Sequence, residues 1–118
     1  MFNFEKLDIR KKSIDLADTI YTRTRTFHAE ERFGLINQLR RAAVSISSNI
    51  AEGSSRSSKA DFARFIKMGT GSVFELASPM FIARRQGLLF EKNFQEIYAD
   101  AQKIGRMLSG LRNSSKTK

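Results

Sequence analysis

Apolar residues recur at steps of three and four along nearly the whole chain, and this periodicity constrains the fold more than any other feature of the sequence. Such spacing places the apolar side chains on one face of an α-helix. The alternation of apolar and polar residues that is typical of strands is not sustained anywhere in the sequence. The pattern predicts four helices, whose apolar positions run from Leu7 to Tyr21, from Phe33 to Ile50, from Phe62 to Ala83 and from Phe94 to Leu111.

Breakers between the four segments indicate the topology. Residues 53–58, which read GSSRSS, predict a turn. Ser58, three residues before Asp61, resembles the start of a capping box, and Gly87 suits the C-terminal end of the third helix. Because the connections are short, consecutive helices are expected to run antiparallel. The sequence therefore predicts an all-α, up-down-up-down antiparallel four-helix bundle. It forms a single domain over residues 1–118, with a disordered tail at 113–118.

Two features interrupt the third segment. Pro79 lacks the amide hydrogen that would bond to the Glu75 carbonyl, so we predict a kink in the third helix at Pro79. Gly69 and Gly71 lie in the same segment, and the second helix carries the small residues Ala42, Ala43 and Ser45. We expect them to let the two helix backbones approach closely.

The composition excludes several classes of protein. With 0 Cys and 1 His, the chain has no disulfide, no thiolate metal site and no site built from several histidines. No signal-peptide pattern follows the first residues, and uninterrupted apolar runs reach only about four residues, whereas a membrane span needs about 20. We therefore expect a cytoplasmic protein without a membrane partner. The net charge of +9 favours a polyanionic partner.

The second helix carries a recognisable motif. Residues 38–53, which read QLRRAAVSISSNIAEG, resemble the signature of the bacterial four helix bundle protein family, also called the 23S rRNA intervening-sequence protein family. Residues 27–35 resemble the family's FP–EE–GL segment, and residues 71–76 its GS–EL segment. The chain differs from the family pattern at His28 and Ser47, where proline is usual or frequent, and at the extra Pro79.

The resemblance implies a bundle that assembles into a homo-oligomeric ring, with a pentamer expected. The architecture is similar to that of accessory proteins of diversity-generating retroelements, which act beside a reverse transcriptase and bind nucleic acid. The intervening-sequence family itself has no settled biochemical activity. Some members are encoded within insertions in 23S rRNA genes, which points to RNA.

A polar stripe on the second and third helices has two interpretations. It could be a ligand or nucleic-acid site, or a structural polar seam between helices or subunits in which Arg41 pairs with Glu75 or Glu52. We favour the seam, because a buried charge needs a partner. The stripe and its family motif comprise Gln38, Arg41, Ser45, Asn49, Glu52, Gly53, Ser72 and Glu75.

Most of the excess positive charge falls at one end of the predicted bundle. The antiparallel topology brings together there the start of the first helix, the turn at 53–58 and the C-terminal tail, with ten basic and four acidic residues. We predict that this end binds nucleic acid, RNA in the first place, with little sequence specificity, because the chain has no base-reading motif. The predicted phosphate contacts are Arg10, Lys11, Lys12, Arg56, Lys59, Arg112 and Lys116.

Functions other than nucleic-acid binding each predict different sequence features. The alternative to nucleic-acid binding is a protein-interaction scaffold, or an accessory subunit of a nucleic-acid-processing enzyme that does not itself touch nucleic acid. The sequence has no P-loop and no nucleophile–base pair, so we expect no catalytic residue, no metal site and no cofactor. The one carboxylate set that could serve a metal-dependent nuclease is Glu52, Asp61 and Glu75, and we do not favour it.

Overall fold

The structure, a computed structural model, describes residues 2–116 and, within them, the side chains of residues 6–31 and 33–113. Four helices account for most of these residues, and none of the described residues is in a strand, which confirms the predicted fold class. The helices are α1 (Phe2–Thr24), α2 (Asn37–Ser54), α3 (Lys59–Arg85) and α4 (Glu91–Lys116).

Contacts between helix ends show how the bundle is arranged. The Lys6 ammonium near the start of α1 lies 4.5 Å from the ring centroid of Phe62 near the start of α3. At the other end, Arg23 of α1 forms an ion pair of 3.1 Å with Glu96 of α4. The main helix contacts join α1 to α2, α2 to α3, α3 to α4 and α4 back to α1. The up-down-up-down topology is therefore as predicted.

In α2, α3 and α4 the core consists mostly of the apolar side chains that the periodicity selected, but in α1 the prediction was partly wrong, because Leu7, Ile14 and Tyr21 are exposed, while Ile9 and Leu16 join Ile20 in the core. The largest fully buried members of the core come from all four helices, and a buried Leu or Ile contributes roughly 2–5 kcal/mol relative to Ala. These members are Ile9, Leu16, Ile20, Leu39, Ile46, Ile50, Ile66, Leu76, Met80, Ile97, Ile104 and Leu108.

Two predicted helix boundaries have a clear local cause. The Ser58 hydroxyl accepts a hydrogen bond of 3.1 Å from the Asp61 amide, and so caps the N-terminus of α3 as expected. After α3, Gly87 has a φ of 77°, a left-handed conformation that glycine adopts without strain. These residues set the length of the longest helix in the bundle.

The segment before α2 differs from the prediction. Apolar spacing placed Phe33 and Leu35 in the second helix, whereas the structure has a short 3₁₀ turn at Ala29–Glu31 and a π-helical turn at Arg32–Ile36. Within that turn Gly34 has φ −103° and ψ −107°, outside the helical region. Glycine tolerates this backbone because it has no Cβ, so the chain bends here and α2 begins only at Asn37.

Two further expectations concern α3 and α4. The helical backbone of α3 continues from Lys59 to Arg85 through the buried Pro79, and a kink of its axis stays a prediction. We expected a disordered tail over 113–118, but α4 extends to Lys116; residues 117 and 118 lie outside the described residues.

Close approach of α2 and α3 depends on different glycines from those expected. A Cβ on Gly53 would lie 3.0 Å from the Phe65 Cβ, so α2 and α3 nearly touch there. A Cβ on Gly69 would meet the Asn49 Cβ at 3.7 Å, an ordinary contact. Gly71 is exposed with nothing within 4 Å of its Cβ position, so its predicted role in helix packing is wrong.

Candidate nucleic-acid interface at the basic end

The basic end is the end of the bundle formed by the first part of α1, the turn after α2, the start of α3 and the last part of α4. Four of the seven predicted phosphate contacts are exposed and have no ion-pair partner among the described side chains. They are Arg10, Lys11, Lys59 and Arg112. Their charges are therefore available to a polyanion. The side chain of Lys116 lies outside the described residues.

The other two predicted contacts are partly neutralised within their own helix or turn. Arg56 pairs with Glu52 at 2.8 Å, and Lys12 lies 3.9 Å from Asp8. Each pair is four residues apart and lies at least partly in solvent, a setting that stabilises a helix by roughly 0.2–0.5 kcal/mol. A phosphate would have to compete with these carboxylates for Arg56 and Lys12.

An arginine pair around Phe65 was not predicted. The guanidinium carbons of Arg56 and Arg64 lie 4.9 Å and 4.6 Å from the Phe65 ring centroid, and Arg64 also pairs with Asp61 at 3.7 Å. The sequence feature that could have indicated this cluster is Gly53, because a residue without a side chain at this position lets the end of α2 lie against Phe65. The cluster holds Arg56 in place by cation–π contact as well as by charge.

Lys6 extends this arrangement to α1. Its ammonium lies 4.5 Å from the Phe62 ring centroid, and burial lowers the pKa of Lys6 below its ordinary value because desolvation disfavours the charged form. The interaction joins the first turns of α1 and α3. Lys6 therefore contributes to packing at this end more than to its open surface.

The inner part of the polar stripe forms a seam between α2 and α3. The hydroxyls of Ser45 and Ser72 are 2.8 Å apart, and Ser72 is buried. The Asn49 amide donates to the Ser45 carbonyl at 2.9 Å and lies 3.2 Å from the Ser45 hydroxyl oxygen. These polar groups satisfy one another at the helix contact, as buried polar groups must.

The outer part of the stripe does not pair as expected. Gln38, Arg41 and Glu75 are exposed, and no ion pair joins Arg41 to Glu75 among the described residues, while Glu52 pairs with Arg56 instead. Arg41 therefore pairs with neither carboxylate within the described part of the chain, and its pairing across a subunit contact stays a prediction. The physical reason is that these side chains lie on the outward flanks of α2 and α3, where water solvates each charge separately.

Arg41 and Glu75 instead share an open surface cavity. Its volume is about 1220 Å³, and Gln38, Ser45 and Tyr21 also line it. Among the described residues, no three His, Asp or Glu side chains are grouped closely enough to hold a metal ion, so Glu52, Asp61 and Glu75 do not converge. None of the helices within residues 2–116 has a stretch apolar and long enough to cross a membrane.

Comparison with known proteins agrees with the motif. The family model described as 23S rRNA-intervening sequence protein matches residues 5–110. A similar solved structure is a protein of unknown function from the S23 ribosomal protein family of Bacteroides thetaiotaomicron, 21% identical with a TM-score of 0.85. That similarity covers 92% of this chain and 98% of the other and, at this identity, concerns the fold alone. No curated protein matches the chain.

Proposed function

The chain belongs to the 23S rRNA-intervening sequence protein family, and from this premise we propose that it is a non-enzymatic, homo-oligomeric protein of the bacterial cytoplasm that binds nucleic acid. The ligand is RNA in the first place, bound through the basic end of the bundle with little sequence specificity. The oligomer is a ring, expected to have five subunits. The four helices supply a rigid support for charge rather than a catalytic centre.

The observation that supports binding is the group of unpaired, exposed cations at the basic end. Lys59 begins α3 and Arg112 lies near the end of α4, and neither has an ion-pair partner among the described side chains. Such side chains exchange condensed counterions for phosphate contacts, which drives binding without reading sequence. Several copies in one ring would act together through their high effective concentration.

Exposed apolar side chains support self-association. Leu7 and Ile14 of α1 and Phe74 and Ile82 of α3 are large, apolar and exposed. Monomeric proteins rarely leave extensive apolar surface in water, so such faces mark contacts with other molecules. The ring and its subunit number come from the family resemblance.

The decisive experiment compares matched charge-reversal variants in an RNA-binding titration. Lys59→Glu with Arg112→Glu removes two unpaired cations from the basic end. With single-stranded RNA we expect at least a tenfold loss of affinity at moderate salt, and a slope of log affinity against log salt that is shallower by about 1.4. The control is Arg85→Glu with Lys92→Glu, which changes the net charge equally at the opposite end, where both side chains are exposed.

Comparing the two variants distinguishes phosphate contacts at the basic end from attraction of RNA by the positive charge of the whole protein. Equal losses in both would mean that the whole positive surface attracts RNA and that the basic end is not a site. Unchanged affinity in the basic-end variant would contradict the proposal. Circular dichroism of each variant establishes that the helical fold is retained.

A second candidate is a protein-interaction scaffold, favoured by the same exposed apolar side chains. That function requires no affinity for RNA. Binding would bury apolar surface and tolerate salt, whereas phosphate contacts weaken steeply as salt rises. Absence of RNA binding by the wild-type protein at low salt would favour this candidate.

A further inference from the structure

The outer part of the polar stripe leaves two charged groups without partners in one cavity. Arg41 of α2 and Glu75 of α3 line this cavity, and both are exposed. Neither forms a side-chain hydrogen bond or an ion pair with another described residue, and they are too far apart to pair with each other. The cavity therefore presents one positive and one negative group, both of which a single ligand can satisfy.

Other residues that line the cavity add hydrogen-bonding groups and aromatic surface. Gln38 and Ser48 lie on the same line of α2 as Arg41, three residues before it and seven after it, and offer an amide and a hydroxyl. Phe33, in the turn before α2, and Tyr21 of α1 supply aromatic rings. The volume of about 1220 Å³ exceeds the roughly 300–1,000 Å³ of ordinary small-molecule sites, so a whole nucleotide can enter.

We propose that this cavity binds a guanine base. Guanine is the one common nucleobase that carries two adjacent N–H donors, on N1 and N2, next to an edge with two acceptors, O6 and N7. The Glu75 carboxylate accepts hydrogen bonds from N1 and N2, and the Arg41 guanidinium donates to O6 and N7, a bidentate contact that is common in nucleic-acid recognition. The flat base stacks on the Phe33 ring, as unpaired bases do on exposed aromatic side chains.

Other ligands satisfy this pair of charges less well. Adenine offers the Glu75 carboxylate a single amino group, and the neighbouring N1 is an acceptor that a carboxylate repels. Uracil offers one N–H between two carbonyl groups, which the carboxylate also repels. An inorganic ion would satisfy one of the two charges and leave the other unpaired. A site built to hydrogen-bond a particular set of donors discriminates against ligands that lack them.

The cavity is separate from the surfaces used by the proposed function. The α2 residues that line it end at Ser48, whereas the basic end includes the turn that follows Ser54, the last residue of α2. None of the four apolar side chains assigned to self-association lines the cavity. The inference therefore goes beyond the proposed function, which needs phosphate contacts and no base. The guanine comes either from a free nucleotide or from an unpaired residue of RNA.

Calorimetric titration with mononucleotides tests recognition of the base. We expect GMP to bind at least tenfold more tightly than IMP, which lacks the N2 amino group, or AMP, which lacks both donors. Glu75→Gln should abolish this preference, and Arg41→Ala should weaken GMP binding at least tenfold. The matched control is Asp100→Asn, which removes an exposed carboxylate of α4 that lies outside the cavity and has no ion pair with a described residue. Circular dichroism establishes that each variant keeps the helical fold.

A second titration distinguishes a free nucleotide from a base within RNA. It compares a uridine oligonucleotide that carries one guanosine with the same oligonucleotide carrying one adenosine. Tighter binding of the guanosine form that is lost in Glu75→Gln assigns the cavity to RNA, whereas a preference for GMP alone assigns it to a free nucleotide.

Two results would overturn the proposal. One is the absence of any preference for guanine in both titrations, and the other is a preference that survives Glu75→Gln. Lys59→Glu with Arg112→Glu should leave the preference for GMP over AMP unchanged, because both side chains lie outside the cavity. A failure of RNA binding at the basic end is thereby distinguished from a failure of the guanine site.

Discussion

At the scale of single residues, glycines and serines decide how α2 meets α3. Gly53 allows the end of α2 to lie against Phe65, and the Ser45–Ser72 hydrogen bond satisfies two hydroxyls at the same contact. The exposed Gly71 serves neither purpose. Replacing Gly53 and Gly71 by alanine should therefore change the free energy of unfolding in opposite directions.

Gly71→Ala is expected to stabilise the protein by about 0.5–1 kcal/mol, because alanine has the higher helix propensity and its methyl group would meet nothing within 4 Å. Thermal unfolding followed by circular dichroism measures the effect. A fall in the melting temperature would show that another molecule packs against this part of α3.

Gly53→Ala is expected to destabilise the protein by roughly 1–2 kcal/mol despite the same gain in propensity. The new methyl group would lie 3.0 Å from the Phe65 Cβ, which belongs to the buried core side of α3 and cannot rotate away. An unchanged or higher melting temperature would mean that α2 and α3 are less closely packed than described.

Arg41→Ala separates the two remaining interpretations of the polar stripe. Since Arg41 is exposed and has no ion pair in the described part of the chain, we expect the free energy of unfolding of the isolated bundle to change by less than about 0.5 kcal/mol. A loss of oligomer mass in light scattering would assign Arg41 to a seam between subunits. Unchanged mass and unchanged stability together would exclude that seam.

At the scale of elements, each helix boundary depends on a local signal of different strength. The Ser58 cap and the Gly87 terminus were predictable, because both residues act on their own backbone. The bend at Gly34 was not, because Phe33 and Leu35 continue the helical spacing and only the backbone angles reveal the break. The side-chain pairing of Arg41 was equally unpredictable, since it depends on how far each helix is rotated about its axis.

Ser58→Ala tests the N-cap of α3. Loss of the hydrogen bond to the Asp61 amide should cost about 1 kcal/mol, the usual value for an N-cap hydroxyl. Ser57→Ala, one residue earlier and also exposed, is the matched control and should be nearly neutral. Chemical denaturation of both variants gives the comparison; equal stability of the two would show that the cap is not formed.

At the scale of the whole molecule, charge and apolar surface are distributed along an elongated bundle with a longest dimension of 47 Å. Antiparallel topology collects basic residues from three helices at one end, which sequence spacing alone was sufficient to predict. Sequence could not show which cations remain unpaired. The structure separates Lys59 and Arg112, which are exposed without ion pairs among the described residues, from Arg56 and Lys12, which are paired.

The central claim is that the basic end binds RNA through phosphate contacts. The most direct measurement is a titration of the wild-type protein with single-stranded RNA across a range of salt concentrations, with the mass of the complex recorded by light scattering. The account predicts binding whose log affinity falls linearly with log salt, with a slope of about −0.7 for each phosphate contact. Affinity independent of salt, or no binding at about 50 mM salt, would contradict it.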